Sequence, residues 1–293
     1  MSYLLVVDLR KRLRNFNLLS TLLIKSLILI VAAFLINLLI YEFNSLSILG
    51  TPLNKSFHHF YDEISDGRRL TQKLLYWLIL FLITQLIIEL NEKYSPGIFF
   101  DILLGRYVTP KVEKRIVMFM DLKDSTPIAE KLGTVNYFLF IRDFIYHISN
   151  ALIEYDGRIY QYVGDEIVVS WKDNEKNRKK CILALIKAHR YILREQSIFK
   201  RRYGRIPEFR AGVHVGDVTV GEIGVIKKDL AMSGDTMNTT ERIRSAGTDQ
   251  QCNYILSKEF IDELQINPWH VTSLGLVELK GKTNEMELFA LNV

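Results

Sequence analysis

Two aspartates stand where predicted strands end. Asp121 closes the apolar run RIVMFMDL, and Asp165 sits at a Gly-Asp turn between RIYQYV and EIVVSW. Carboxylates at the ends of adjacent strands can converge on one point. Hard oxygen ligands of that kind suit magnesium, and two such ions can clamp the attacking and leaving oxygens of an in-line displacement. By spacing alone, each aspartate reads as a turn residue or a helix cap before it reads as a metal ligand. Asn238 and Arg242 stand four apart on a predicted helix, hence on one face and about one turn from each other, although such a pair by itself reads first as a solvated helix surface. His214, between Val213 and Val215 in an apolar strand, reads as a packing residue and not as a base. Asp235, just before the helix, reads as its N-cap.

The elements that must position these groups follow from periodicity. Residues 115–122 form a β-rich run, residues 125–155 read as helices broken at Gly133, and residues 158–171 read as two short strands turning at Gly164 and Asp165. A long amphipathic helix is expected over residues 174–199; its basic start, KNRKK, reads as solvated, with attraction to anionic lipid as the alternative. FRAGVHVG and VTVGEIG read as a strand pair whose glycines mark turns. A helix over 236–245 and short strands near 254–256, 271–278 and 286–291 complete the pattern. Strands interspersed with helices that cover one face predict an α+β layer fold.

The first third has a different composition. Residues 18–41 carry one charge, Lys25, and match the length of a transmembrane helix; residues 74–90 form a second, slightly shorter apolar run. Arg10, Lys11, Arg12 and Arg14 precede the first run, while Lys93, Arg106, Lys111, Lys114 and Arg115 follow the second, which predicts that both termini are cytoplasmic. The expected organisation is a membrane anchor over 1–91 with a short external loop, a connector over 92–114 and a catalytic domain over 115–293, in a multi-pass protein of the cell membrane whose partner on that side is the lipid bilayer. Buried helices of a soluble domain are the rival reading of both runs. Cys181 and Cys252 lie far apart with no C-x-x-C spacing, so neither a disulfide framework nor a zinc site is indicated. The net charge of +5 sits largely beside the apolar runs and on one helix, so no nucleic-acid partner is inferred.

FMDLKDST, YVGDEIVVSW, FRAGVHVGDVTVGEIG and GDTMNTTERIR occur in this order. Over residues 115–293 the chain thereby resembles the class III adenylate and guanylate cyclases. The resemblance implies an α+β, ferredoxin-like catalytic domain, here expected behind two transmembrane helices, that converts a nucleoside triphosphate to a 3',5'-cyclic nucleotide and pyrophosphate. By motif, Asp121 and Asp165 match the metal-binding aspartates and the carbonyl of Leu122 the third protein ligand, for two Mg2+ or Mn2+ ions per site. The loop 122–126, with Ser125 and Thr126, would cradle the triphosphate on main-chain N–H groups. The family usually has glycine where Asp124 stands, and a carboxylate there repels a triphosphate unless it points away. Asn238 and Arg242 match the pair that orients the ribose and donates to the α-phosphate. Lys280 matches the lysine that holds the terminal phosphates, with Lys282 as the alternative.

In this family the metal aspartates of one protomer face the Asn and Arg of the other, so the resemblance also implies a homodimer with shared sites. Base choice falls on Gln161, where adenylate cyclases carry lysine, and on Ala231, where they carry Asp or Thr. Gln161 can donate and accept, whereas Ala231 offers no side-chain hydrogen bond. ATP is the first expectation, with GTP or a pyrimidine triphosphate as alternatives. A non-catalytic dimeric signalling module is the competing class.

Overall fold

The computed structural model describes residues 104–293, apart from 225–228, 265–269 and 283, together with scattered helical positions within 24–43 and 72–87. The chain divides into two units, Met1–Lys93 and Tyr94–Val293. The expected spans at 18–41 and 74–90 lie for the most part outside the described residues. Among the described residues no helix is long and apolar enough to cross a membrane, so the two-helix anchor gains no support from the structure.

In the second unit eight strands form one sheet: β1 (Lys111–Leu122), β2 (Arg158–Val163), β3 (Glu166–Lys172), β4 (Phe209–Ile223), β5 (Asp229–Ser233), β6 (Tyr254–Ser257), β7 (Val271–Val277) and β8 (Met286–Leu291). Their order is β2-β3-β1-β4-β6-β8-β7, with β5 added to β4. All pairings are antiparallel except β4 with β6. The helices are α1 (Ser125–Glu154), α2 (Glu175–Arg194), α3 (Gln196–Tyr203), α4 (Asp235–Asp249) and the short α5 (Lys258–Ile261).

Side chains alternate along β1, and the alternation decides which face each residue serves. Ile116, Met118, Met120 and Leu122 enter the main core with Ile167, Val169 and Trp171 of β3, under Phe140, Phe144, Ile148 and Leu152 of α1 and Cys181 and Leu185 of α2. Val117 and Phe119 point to the opposite face, with Val168, Val218, Val220, Met232 and Met237. Asp121 shares the parity of Val117 and Phe119, so it emerges on that second face. Full burial of an aromatic such as Phe140 or Phe144 contributes about 2–3 kcal/mol.

Three sequence expectations change. The strand pair expected over 209–224 is one continuous strand, because Gly216 is not a turn: a Cβ there would lie 2.6 Å from Thr236 Oγ1, so the glycine lets the start of α4 approach the sheet. The helix expected over 174–199 breaks at Glu195, after which α3 turns Phe199 into the core, edge-on to Phe140 at 5.7 Å. The KNRKK run is only partly solvated: Arg178 is fully buried, its Nε 2.7 Å from Asp173 Oδ1 and its Nη1 donating to the carbonyls of Glu259 and Phe260. Lys179 and Lys180 pair with Glu175 and Asp156. β5 and α5 are additions that periodicity did not reveal.

Candidate active site

The first half of the site lies at the end of β1. Asp121 is half-buried opposite Arg210 of β4, and the hairpin between β2 and β3 carries Asp165 beside it through Gly164, whose φ of 61° is a left-handed conformation that glycine adopts freely. Burial raises the Asp121 carboxyl above the usual range; Arg244 opposes that rise and the charge of Asp165 adds to it. Glu166 is raised in the same way, by burial first, with Arg244 opposing and Asp121, Glu241 and Asp165 reinforcing. The charge of Asp165 acts on Asp121, so the two carboxylates expected to converge stand in the same corner of the sheet. Asp165 Oδ2 is buried without a partner. A buried carboxylate oxygen left this way is costly unless something else neutralises it, and a hard divalent cation fits that need. No group of three or more acidic, imidazole or thiol side chains gathers to hold a metal among the described residues. The donor set suits an ion such as Mg2+, which takes one or two carboxylates and completes its shell from phosphates and water.

The loop after β1 leads directly into α1. Lys123 N donates to the carbonyl of Glu208, which fixes the turn against the approach to β4. Asp124 takes φ 56°, the left-handed conformation for which a glycine is the usual choice and which Asp tolerates better than most residues. Its carboxylate points to Arg205, with Oδ2 at 3.2 Å from Nη2, and so is neutralised away from the turn. Ser125 and Thr126 then open α1 with no side-chain cap on its first amides. Tyr137, one turn past the bend at Gly133, reaches back to hydrogen-bond Ser125; burial and the charges of Asp165 and Asp121 hold its phenol above the usual range.

The second half of the site lies along α4, whose N-cap is Gly234 and not Asp235. Asp235 instead receives Lys282 Nζ and the hydroxyl of Thr239, and Lys282, its first cause, keeps this carboxylate below the usual range. Lys282 is thereby engaged, whereas Lys280 is exposed. Arg242 lies against the same loop: a Cβ at Gly281 would be 3.4 Å from its Nη2. Asn238 is exposed on the same face of α4 as Arg242. His214 is buried with Nδ1 2.8 Å from Ser257 Oγ, which supports its reading as a packing residue.

The two halves do not meet. Two residues along a helix turn a side chain by about 200°, so Arg242 and Arg244 leave α4 on nearly opposite sides. Arg244 takes the side of the carboxylates, with Nη1 2.7 Å from Asp121 Oδ2 and Nη2 3.0 Å from Glu166 Oε2, while Arg242 faces the β7–β8 loop. Sequence reasoning passed over Arg244, Glu166 and Tyr137. Glu166 directly follows Asp165, and Arg244 differs from Arg242 in helical phase; those were the available signals. Tyr160 Oη of β2 accepts from Met232 N of β5 at 3.0 Å, a contact between the residues next in the chain to Gln161 and Ala231, the two positions expected at the base.

Residues 108–293 match the adenylate and guanylate cyclase catalytic domain. The match covers well over half of the chain, which therefore belongs to that family. Adenylate cyclase 2 of Rhizobium meliloti (strain 1021) is 28% identical over 207 residues, covering 70% of this chain and 57% of the relative. The chain thus spans little more than half the length of that protein. Among solved structures, the adenylyl cyclase CyaB from P. aeruginosa superposes with a TM-score of 0.54 at 22% identity, covering 63% of this chain and 96% of that one. The guanylyl cyclase Cya2 gives 0.53 at 17% identity, covering 62% and 92%. These two likenesses concern the fold of the second unit.

Proposed function

We propose that this chain is a nucleotidyl cyclase that converts a nucleoside triphosphate, ATP by first choice, to a 3',5'-cyclic nucleotide and pyrophosphate at sites shared between two copies of itself. The observation that carries the reading is the convergence of Asp121 and Asp165, one of whose oxygens is buried without a partner, inside a domain of the cyclase family. Two divalent cations, Mg2+ or Mn2+, held by Asp121, Asp165 and the Leu122 carbonyl would supply acidification of the ribose hydroxyl and neutralisation of phosphate charge. Amides at the start of α1 would hold phosphate oxygens, Lys280 the terminal phosphates, Asn238 the ribose, and Arg242 the α-phosphate as charge moves to the leaving pyrophosphate. Because Asn238 and Arg242 face away from the carboxylates of their own chain, a partner must supply the complementary half. A C2 homodimer does so twice.

For the base, Gln161 can both donate and accept, while Ala231, paired with Gly221 across β4 and β5, adds no hydrogen bond. ATP is favoured because the rhizobial relative is an adenylate cyclase. GTP and the pyrimidine triphosphates are the alternatives. The test is incubation of the purified chain with each of the four triphosphates and Mg2+ or Mn2+, with products identified by mass. A cyclic nucleotide and pyrophosphate are expected; tight binding without turnover would instead indicate a signalling module.

The reading includes a membrane anchor through residues 18–41 and 74–90, with the catalytic domain on the cytoplasmic side. It is supported by the apolar runs and their basic flanks, and by helical positions such as Leu27, Ile30, Leu39, Leu75 and Ile79, whose side chains are at least half exposed. A reporter fused after Val293 should be cytoplasmic and one inserted near Ser56 external; an external C-terminus would overturn this part.

A further inference from the structure

Arg244 places a fixed positive charge on the carboxylates that the proposed function reserves for metal ions. Its two Nη atoms are 2.7 Å from Asp121 Oδ2 and 3.0 Å from Glu166 Oε2, and its Nε is buried without a partner. The guanidinium is therefore gripped only at its far end. Its backbone has no such freedom: a Cβ on Gly212 of β4 would lie 2.4 Å from Arg244 N and 2.7 Å from its Cα, so α4 is seated directly on the strand at this point. The origin of the side chain is thus fixed, and its contacts with the carboxylates are all made by the two Nη atoms.

The charge balance shows what the contact does. Asp121, Asp165 and Glu166 bring three negative charges to one corner, with Glu241 adding to the field at Glu166; Arg210 and Arg244 oppose them at Asp121, and Arg244 is in direct contact with both Asp121 and Glu166. An oxygen that accepts a guanidinium N–H at this distance cannot offer the same lone pair to a small divalent ion, which demands close and well-directed oxygen ligands. Glu166, on the neighbouring strand, provides a carboxylate on which the arginine can remain once Asp121 is taken.

We propose that Arg244 is a tethered counter-ion that competes with divalent cations for Asp121. It holds the metal affinity of the nucleotide-free protein low, so that a cation enters together with the triphosphate. When Asp121 turns to the cation, Arg244 stays on Glu166. Arg244 is thus a positioning residue that acts through Asp121 and does not touch the substrate. The inference rests on the cyclase reading only in taking Asp121 as a metal ligand.

The experiment measures Mn2+ binding to the full-length chain in detergent, without nucleotide, by electron paramagnetic resonance of the free ion. An adjacent arginine biases a carboxylate by at least about ten-fold, so Arg244→Gln should bind Mn2+ about ten-fold more tightly than the wild type. Arg244→Lys, which keeps the charge but cannot fork across two carboxylates, should show a smaller gain. Adding Asp121→Asn to Arg244→Gln should abolish the gain. Equal or weaker Mn2+ binding in a folded Arg244→Gln protein, judged by circular dichroism, overturns the proposal. If that variant does not fold, Arg244→Lys decides in the same way, a gain supporting the proposal and no gain overturning it. Product formation by the wild type reads the cyclase assignment separately: an active wild type with no gain in the variants sinks this inference alone, and a gain without any cyclic product leaves it standing while sinking the cyclase reading.

Discussion

At the scale of single residues, the site is defined by how little neutralises its carboxylates. Asp121 has one oxygen on Arg244, whereas Asp165 Oδ2 is buried with no partner at all. A charge held without compensation weakens the fold that contains it. Asp165→Asn should therefore abolish product formation and leave the protein at least as resistant to heat as the wild type; a variant that is inactive because it has unfolded would show a lowered melting temperature instead. The two aspartates could be singled out in the sequence because the end of an apolar strand and a Gly-Asp turn both constrain where a side chain lies. Arg244 was not. Its helical phase sets it opposite Arg242, but what stands opposite depends on where α4 rests on the sheet, and no local pattern encodes that.

At the scale of elements, glycines decide that seat. Gly212 and Gly216 lie in β4 on the face that carries α4, and each would drive a Cβ into it, at Arg244 and at Thr236. The sequence was read as placing turns at the glycines of this run because glycine is a turn residue by default; in a continuous strand it instead marks close approach of another backbone. Gly212→Ala should lift α4, cost about 1–3 kcal/mol of stability by overpacking and separate Arg244 from Asp121, seen as a lowered denaturation midpoint. The buried pair of Arg178 and Asp173 ties the start of α2 to the end of α5. Burial pushes the Asp173 carboxyl up, but hydrogen bonds and charge from Arg178, with Lys114, outweigh it and hold the group below the usual range. Its folded value lies below its unfolded one, so its contribution is fully present above about pH 4 and is lost as the pH falls through the lower folded value. Asp173→Ala leaves the buried Arg178 with only the exposed Glu263, 3.0 Å from its Nη2, as an ion-pair partner and should cost up to about 3 kcal/mol at neutral pH. Urea unfolding of both proteins across this acid range should show the gap narrowing as the pH drops.

At the scale of the whole molecule, the proposed function requires one chain to carry both halves of a catalytic centre and to point them apart. The carboxylates sit at the end of β1 with Arg244, while Asn238 and Arg242 leave α4 toward the loop that carries Lys280. If two copies complete each other, every site of an Asp165→Asn homodimer lacks a metal ligand and every site of an Arg242→Ala homodimer lacks the donor to the α-phosphate. Each should be inactive. In a mixed dimer one site collects both lesions and the other collects neither. With random pairing about half the dimers are mixed and one of their two sites is intact, so co-expression in equal amounts should restore about a quarter of wild-type activity. Pull-down through two different tags establishes that mixed dimers form. Activity that stays at the level of the separate variants, in a preparation where they do form, would mean that both halves act within one chain; the opposite orientations of Arg242 and Arg244 would then need a rotation of α4 that the close seat of Arg244 on Gly212 does not allow.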